Sequence, residues 1–164
     1  CSSDLLSGRD GDAVCNLMEK LDNDRVYEVP AAVREALGVF YGGFASENET
    51  LDTIGKMWLN EGYMMDTHTA VAYKVYRDYV RETGDAETPT VIASTASAYK
   101  FAESVSAACG IGPCNDGFEY VAELAAATGI EIPYGLRDLD KKTVLHEGIV
   151  DADKMMDAVS EALR

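Results

Sequence analysis

Thr90-Val91-Ile92-Ala93-Ser94-Thr95-Ala96-Ser97-Ala98-Tyr99-Lys100-Phe101 is the stretch that decides the fold class of this chain. Residues 90–94 are mostly β-branched or apolar, follow Pro89, and run into a cluster of small and hydroxyl residues. A short apolar run with such boundaries predicts a buried strand. Helical spacing on either side gives the order helix, strand, hydroxyl loop, helix. In an open α/β sheet that order places small hydroxyls at the carboxyl edge of the strands, where ligands bind. Ser94 and Thr95 are therefore candidate ligand-binding residues. Caps and turns are the competing explanation, and Ser97 in particular suits the start of the following helix.

Upstream, Asp66-Thr67-His68-Thr69 opens a helix with Asp66 or Thr67 as its N-cap. Val71, Ala72, Val75, Tyr76 and Tyr79 form its apolar stripe. An imidazole at such a helix start can accept a proton or polarise a carbonyl, so His68 is a second candidate. A capping role, bonded to Asp66 or to backbone, explains it equally. Ser46 followed by Glu49 is a capping-box pattern ahead of a helix that buries Leu51, Ile54, Met57 and Trp58 and closes at Gly62. Pro30 suits the first turn of a helix over 30–41, with Val33, Leu37 and Phe40 inward and Gly42-Gly43 at its end. Residues 11–21 carry Val14, Leu17, Met18 and Leu21 on one face.

Downstream, Phe101, Val105 and Ala108 mark a helix that stops before Gly110. Asp116 with Glu119 caps another, with Phe118, Val121, Leu124 and Ala125 inward and Gly129 beyond its end. Asp151 starts the last, whose apolar residues are Met155, Met156, Val159 and Leu163. One strand among seven helices is odd for a complete domain, because a lone strand cannot pair its own backbone donors and acceptors. Either weaker strands pair with it or its sheet belongs to other sequence.

At 164 residues the chain has the size of one domain or of part of a larger one. Hydrophobic residues are 47% and charged residues 26%, enough for a packed core. Lys plus Arg number 14 against 29 Asp plus Glu, a formal charge of −15. Binding a polyanion needs cations to displace counterions, so nucleic acid and anionic membrane are poor partners. A solvated acidic surface accounts for the excess. No apolar run approaches the roughly 18 residues that cross a bilayer. Cys1-Ser2-Ser3-Asp4 lacks the features of a signal peptide. Position 1 is not Met, so the expectation is a chain that begins inside a longer polypeptide, and its cysteine usage suits a reducing, cytoplasmic setting.

Cys109-Gly110-Ile111-Gly112-Pro113-Cys114 separates its thiols too widely for a redox CxxC pair. Without a second pair or a nearby His it is also a weak zinc site. Free thiols and no metal site are expected, with Cys1 and Cys15 also unpaired. His146 lies in a polar loop and reads as surface. Tyr73, Tyr76 and Tyr79 fall at helical spacing and read as core edges.

Several of these segments, taken in order, resemble one family. They are the run from Phe40-Tyr41-Gly42-Gly43 through Ser46-Glu47-Asn48-Glu49-Thr50, then Ile54, Gly62-Tyr63 and Asp66-Thr67-His68-Thr69-Ala70-Val71-Ala72. Ser94-Thr95-Ala96 with Lys100-Phe101 completes the set. In that spacing they look like the carboxyl-terminal part of threonine synthase, whose patterns are D-P-H-T-A-V and S-T-A-H-P-A-K-F. The resemblance runs from about residue 5 to 164.

The resemblance implies the mostly helical C-terminal portion of a fold-type-II enzyme, an α/β architecture of three layers (αβα) with few strands in this part. It implies a lyase of threonine biosynthesis that uses pyridoxal 5'-phosphate to convert O-phosphohomoserine and water to threonine and phosphate. In such enzymes the cofactor-linking lysine and the glycine-rich phosphate loop lie in the amino-terminal part. No segment of 1–164 looks like either. The expectation is a single C-terminal piece that is inactive alone, holds no catalytic lysine and does not stably bind the cofactor. By motif position Thr95, with Ser94 as its neighbour, is the hydroxyl that bonds the pyridine nitrogen, and Asp66, His68 and Thr69 are adjacent to the site.

Three places depart from the pattern. Thr67 replaces Pro, Ser97-Ala98-Tyr99 replaces His-Pro-Ala, and Cys1-Ser2-Ser3-Asp4-Leu5-Leu6 is a shortened form of S-S-N-x-E-R-L-L. A truncated face would expose apolar surface and favour self-association. The alternative is a free-standing helical binding or regulatory module with the family's shape and none of its chemistry.

Overall fold

Capping side chains set the start of several helices. In the computed structural model, which describes residues 7–145 and 148–163, Ser46 and Glu49 form a reciprocal capping box. The Glu49 N–H donates to Ser46 Oγ at 3.3 Å, and the Ser46 N–H donates to the Glu49 carboxylate at 2.8 Å. The helix behind them spans Glu47–Glu61 and ends at Gly62, whose φ of 64° is left-handed. Asp66 opens Thr67–Thr83, with Oδ1 accepting from the N–H of His68 at 2.8 Å and of Thr69 at 3.3 Å. Asp116 opens Gly117–Thr128 in the same way, accepting from Phe118 and Glu119. Ser97 Oγ accepts from the Tyr99 N–H and caps a 3-10 turn, Ala98–Phe101, that leads into a helix over Ala102–Ala108.

In chain order the helices of the described residues are α1 (Gly11–Asp24), α2 (Ala31–Ala36), α3 (Glu47–Glu61), α4 (Thr67–Thr83), α5 (Ala102–Ala108), α6 (Gly117–Thr128) and α7 (Met155–Ala162). Helix α3 packs against both α4 and α5, and α5 packs against α6. Ile54, Met65, Ala70, Tyr99, Ala102, Val105, Val121 and Leu124 are buried between them. The approach of α3 to the end of α5 is close. A Cβ on Gly55 would lie 2.6 Å from the Ala108 carbonyl oxygen, so that crossing needs glycine.

Several expectations change. Residues 90–95 carry no strand, and no described residue does. The run that reads as a buried strand has no ladder to join, and Val91 is 94% exposed. The helix expected over 30–41 is only α2 followed by a 3-10 turn, Leu37–Val39, with Pro30 as the N-cap and Phe40 exposed. Gly38 and the β-branched Val39 are poor helix formers and account for the early stop. On α4 the buried positions are Thr69 and Ala70, while Ala72 is exposed. On α6, Phe118 points outward. The apolar faces of α1 and α7 form as the spacing demands, but no residue of either helix is buried. His146 and the segment 1–6 lie outside the described residues.

Candidate functional site

The site is built from Asp66 outward. Its side chain is fully buried beneath the first turn of α4. Burial pushes the Asp66 carboxyl up, but the Thr69 hydroxyl and the N–H groups of His68 and Thr69 together outweigh it and hold the group below its ordinary value. Thr69 is itself buried, and its Oγ1 donates to Asp66 Oδ2. The same Thr69 oxygen lies 3.0 Å from Ser94 Oγ, across 25 residues of sequence. Three of the residues singled out from the sequence, Asp66, Thr69 and Ser94, therefore form one hydrogen-bonded chain from a buried carboxylate to an exposed loop.

Ser94 lines a hollow of about 180 Å³ with Tyr63, Met64, Ser97, Tyr99 and Thr128. The Tyr99 hydroxyl closes its floor by donating to the Ile130 carbonyl at 2.5 Å. Thr95 is exposed, does not line that hollow, and has no hydrogen-bond partner among the described residues. His68 goes elsewhere. Its ring is mostly exposed, stands 5.0 Å from the Phe101 ring, and places Nδ1 3.5 Å from Asp66 Oδ1. It borders a separate hollow of about 380 Å³ with Glu47, Thr50 and Ser104. Asp66 thus lies between His68 and Ser94, but the two do not share a cavity.

Sequence reasoning missed a groove of about 550 Å³ between α3 and α4. Lys74 bridges Asp78 at 2.7 Å and Glu49 at 3.2 Å, and Arg81 pairs with Asp78 at 2.8 Å. The backbone and side chain of Ser46, then Lys74, pull the Glu49 carboxyl down to about 2. The Lys74 to Asp78 spacing of four was visible in the sequence, but charges on a helix face read as solvated until a second helix is laid beside them. Among the described residues no group of three His, Cys, Asp or Glu could hold a metal ion. Cys109 and Cys114 are free and half-buried, and burial pushes both thiols up.

Residues 69–144 match the family described as threonine synthase, C-terminal, a span that holds Thr69, Ser94 and Thr95 together. The matched span supports the resemblance to the threonine synthase family. It is 34% identical over 113 residues to human threonine synthase-like 1, a match covering 68% of this chain and 15% of that protein. The mouse protein of the same name is 41% identical over 76 residues, covering 46% of this chain and 10% of its own length. A crystal structure of pyridoxal-phosphate-bound threonine synthase from Brucella melitensis superposes with a TM-score of 0.61 and 27% identity, covering 87% of this chain and 26% of that one. The chain therefore spans a small part of the relatives it matches. Its architecture is the mostly helical C-terminal portion of a fold-type-II enzyme, with no strand among the described residues.

Proposed function

We propose that these residues supply the C-terminal part of a pyridoxal-phosphate-dependent threonine synthase, a lyase that converts O-phosphohomoserine and water to threonine and phosphate. The observation that supports this reading most is Thr95. It lies inside the span matched to the family, its side chain is exposed, and its hydroxyl has no partner among the described residues. A free, neutral hydroxyl fits an unprotonated pyridine nitrogen, because it can donate to the nitrogen lone pair without protonating it. A carboxylate there would hold the nitrogen protonated. This chain therefore fits one contact of the cofactor, the ring nitrogen. When bound, pyridoxal phosphate supplies the electron sink for the reaction. Thr95 tunes that sink and moves no substrate proton, and Ser94 lies beside it.

The cofactor-linking lysine and the phosphate loop belong, in this reading, to sequence outside residues 1–164. The chain spans 26% of the Brucella enzyme, which leaves ample room for both. Exposed apolar side chains such as Phe44, Leu59, Val91 and Tyr134 would face that remainder. The setting is cytoplasmic and the partner a small molecule. The charge of −15 disfavours nucleic acid, and no helix among the described residues is long and apolar enough to cross a membrane.

The test compares residues 1–164 with the full-length protein that carries them, each supplied with pyridoxal phosphate and O-phosphohomoserine. The full-length protein forms threonine and phosphate. Residues 1–164 alone form neither and lose the cofactor absorbance on dialysis. Turnover by residues 1–164 alone would overturn the division of labour, and a cofactor-loaded full-length protein that releases no phosphate would overturn the reaction.

A further inference from the structure

Between residues 91 and 96, the hydrogen bond between Ser94 and Thr69 is the one that the described residues make. This stretch has no ladder, no helix and no cap of its own. Apart from the half-buried Ile92 and Ala96, its setting against the helical body rests on a single side-chain hydrogen bond that leads to a buried carboxylate. The direction of that chain follows from counting protons. An ionised carboxylate only accepts, and a hydroxyl has one proton to give. Asp66 accepts from the Thr69 hydroxyl, so the one Thr69 proton is used there. The 3.0 Å contact between Thr69 and Ser94 is then made by the Ser94 proton, donated to Thr69 Oγ1. Hydrogen bonds to a charged acceptor are shorter and roughly twice as strong as neutral ones, which favours this order over the reverse.

The geometry points to a positioning role for Asp66 and Thr69: they consume the Ser94 proton, pin the loop through it, and leave Thr95 as the hydroxyl donor that residues 94 and 95 can offer a ligand. Ser94 is then a tether whose oxygen presents lone pairs alone. Thr95 keeps its proton because it makes no bond to the body of the protein. Two adjacent hydroxyls, which look interchangeable in the sequence, are separated by what lies behind one of them. Asp66 and Thr69 touch no ligand in this arrangement and act through Ser94. The inference rests on the pyridoxal-phosphate reading only where the ligand is concerned, since the tether exists without it.

The test has a part that needs no cofactor. Backbone amide relaxation of residues 91–96 is measured in the full-length protein and in Thr69→Val and Thr69→Ser variants. Thr69→Val raises the nanosecond mobility of these residues, and Thr69→Ser, which keeps the hydroxyl, does not. Equal mobility in all three overturns the tether. The second part measures dissociation constants for pyridoxal phosphate and for its 1-deaza analogue, which lacks the ring nitrogen. The full-length protein prefers the natural cofactor by about fivefold, the worth of one ordinary hydrogen bond. Thr95→Val abolishes the preference, and Thr69→Val and Ser94→Ala reduce it towards one although neither residue meets the nitrogen. Thr69→Ser restores it.

If Thr69→Val weakened both ligands equally, the preference being kept, the residue would be merely structural and the positioning role would be lost. A preference that Ser94→Ala removes and Thr95→Val spares would reverse the assignment of donor. A full-length protein with no preference at all would end the ring-nitrogen reading of Thr95 and with it the role assigned to Asp66 and Thr69 in ligand recognition, leaving the relaxation measurement to decide the tether.

Discussion

Asp66 accepts from two backbone N–H groups and from the Thr69 hydroxyl while fully buried, so its loss removes a helix cap and strands a buried hydroxyl at once. We expect Asp66→Ala to cost about 2–3 kcal/mol, the sum of a lost N-cap and an unpaired polar group, read as a lower urea midpoint at neutral pH. The pH dependence follows from its depressed carboxyl. Such a group contributes stability that is fully present above its unfolded value, near 3.8, and is lost as the pH falls through the lower folded value. Asp66→Asn, which does not titrate, should therefore lose less stability than the parent protein below pH 3.8. Glu49 gives a second check at this scale. The Ser46 backbone and side chain, then Lys74, hold it at about 2 against an ordinary 4.5. Ser46→Ala should raise its midpoint in a carbon-13 titration, and an unmoved midpoint would show that the backbone N–H of residue 46 and Lys74 set it without the hydroxyl.

Helix α3 crosses α5 at Gly55, and that crossing reverses the usual effect of a glycine replacement. In an open helix, alanine for glycine gains about 1 kcal/mol. Here the new Cβ would stand 2.6 Å from the Ala108 carbonyl oxygen, and backbone cannot swing aside as a side chain can. Gly55→Ala should lower the melting temperature by an amount equivalent to about 1–3 kcal/mol, the range for an overpacked contact. A raised melting temperature would mean that the helices part at no cost. The elements differ in how far the sequence disclosed them. The caps at Ser46, Asp66 and Asp116 and the stop at Gly62 were legible because each acts within a turn of itself. The inward face of α4 was not. Thr69 is polar, and what makes it a buried residue is the partner that folds over it from residue 94. The run at 90–94 has the composition of a strand, but a strand is completed by a neighbour, and none is present among the described residues. Of the candidate site, the sequence singled out Asp66, Thr69, Ser94 and Thr95, whereas the hydrogen-bonded chain through the first three, the separation of His68 from Ser94, and the charged groove between α3 and α4 needed the packing of the helices.

Among the described residues, eight hydrophobic side chains are buried while Phe44, Leu59, Val91, Ile149 and Leu163 are each at least 80% exposed. Apolar surface on that scale favours association in water. Residues 1–164 alone should self-associate in sedimentation velocity, and the full-length protein should show less exposed apolar surface per residue by dye binding. In the proposed reading this helical body, with its strandless loop at 90–96, forms one wall of a larger site. The most direct test of that claim is turnover of O-phosphohomoserine by the full-length protein carrying Thr95→Val. Since the Thr95 side chain is exposed and bonds to nothing else described, the replacement should leave the melting temperature within about 1 °C, as surface substitutions usually do. Turnover should fall about tenfold, the loss of one hydrogen bond to an ionisable ring nitrogen. Unchanged turnover in a folded, cofactor-loaded variant would contradict the claim.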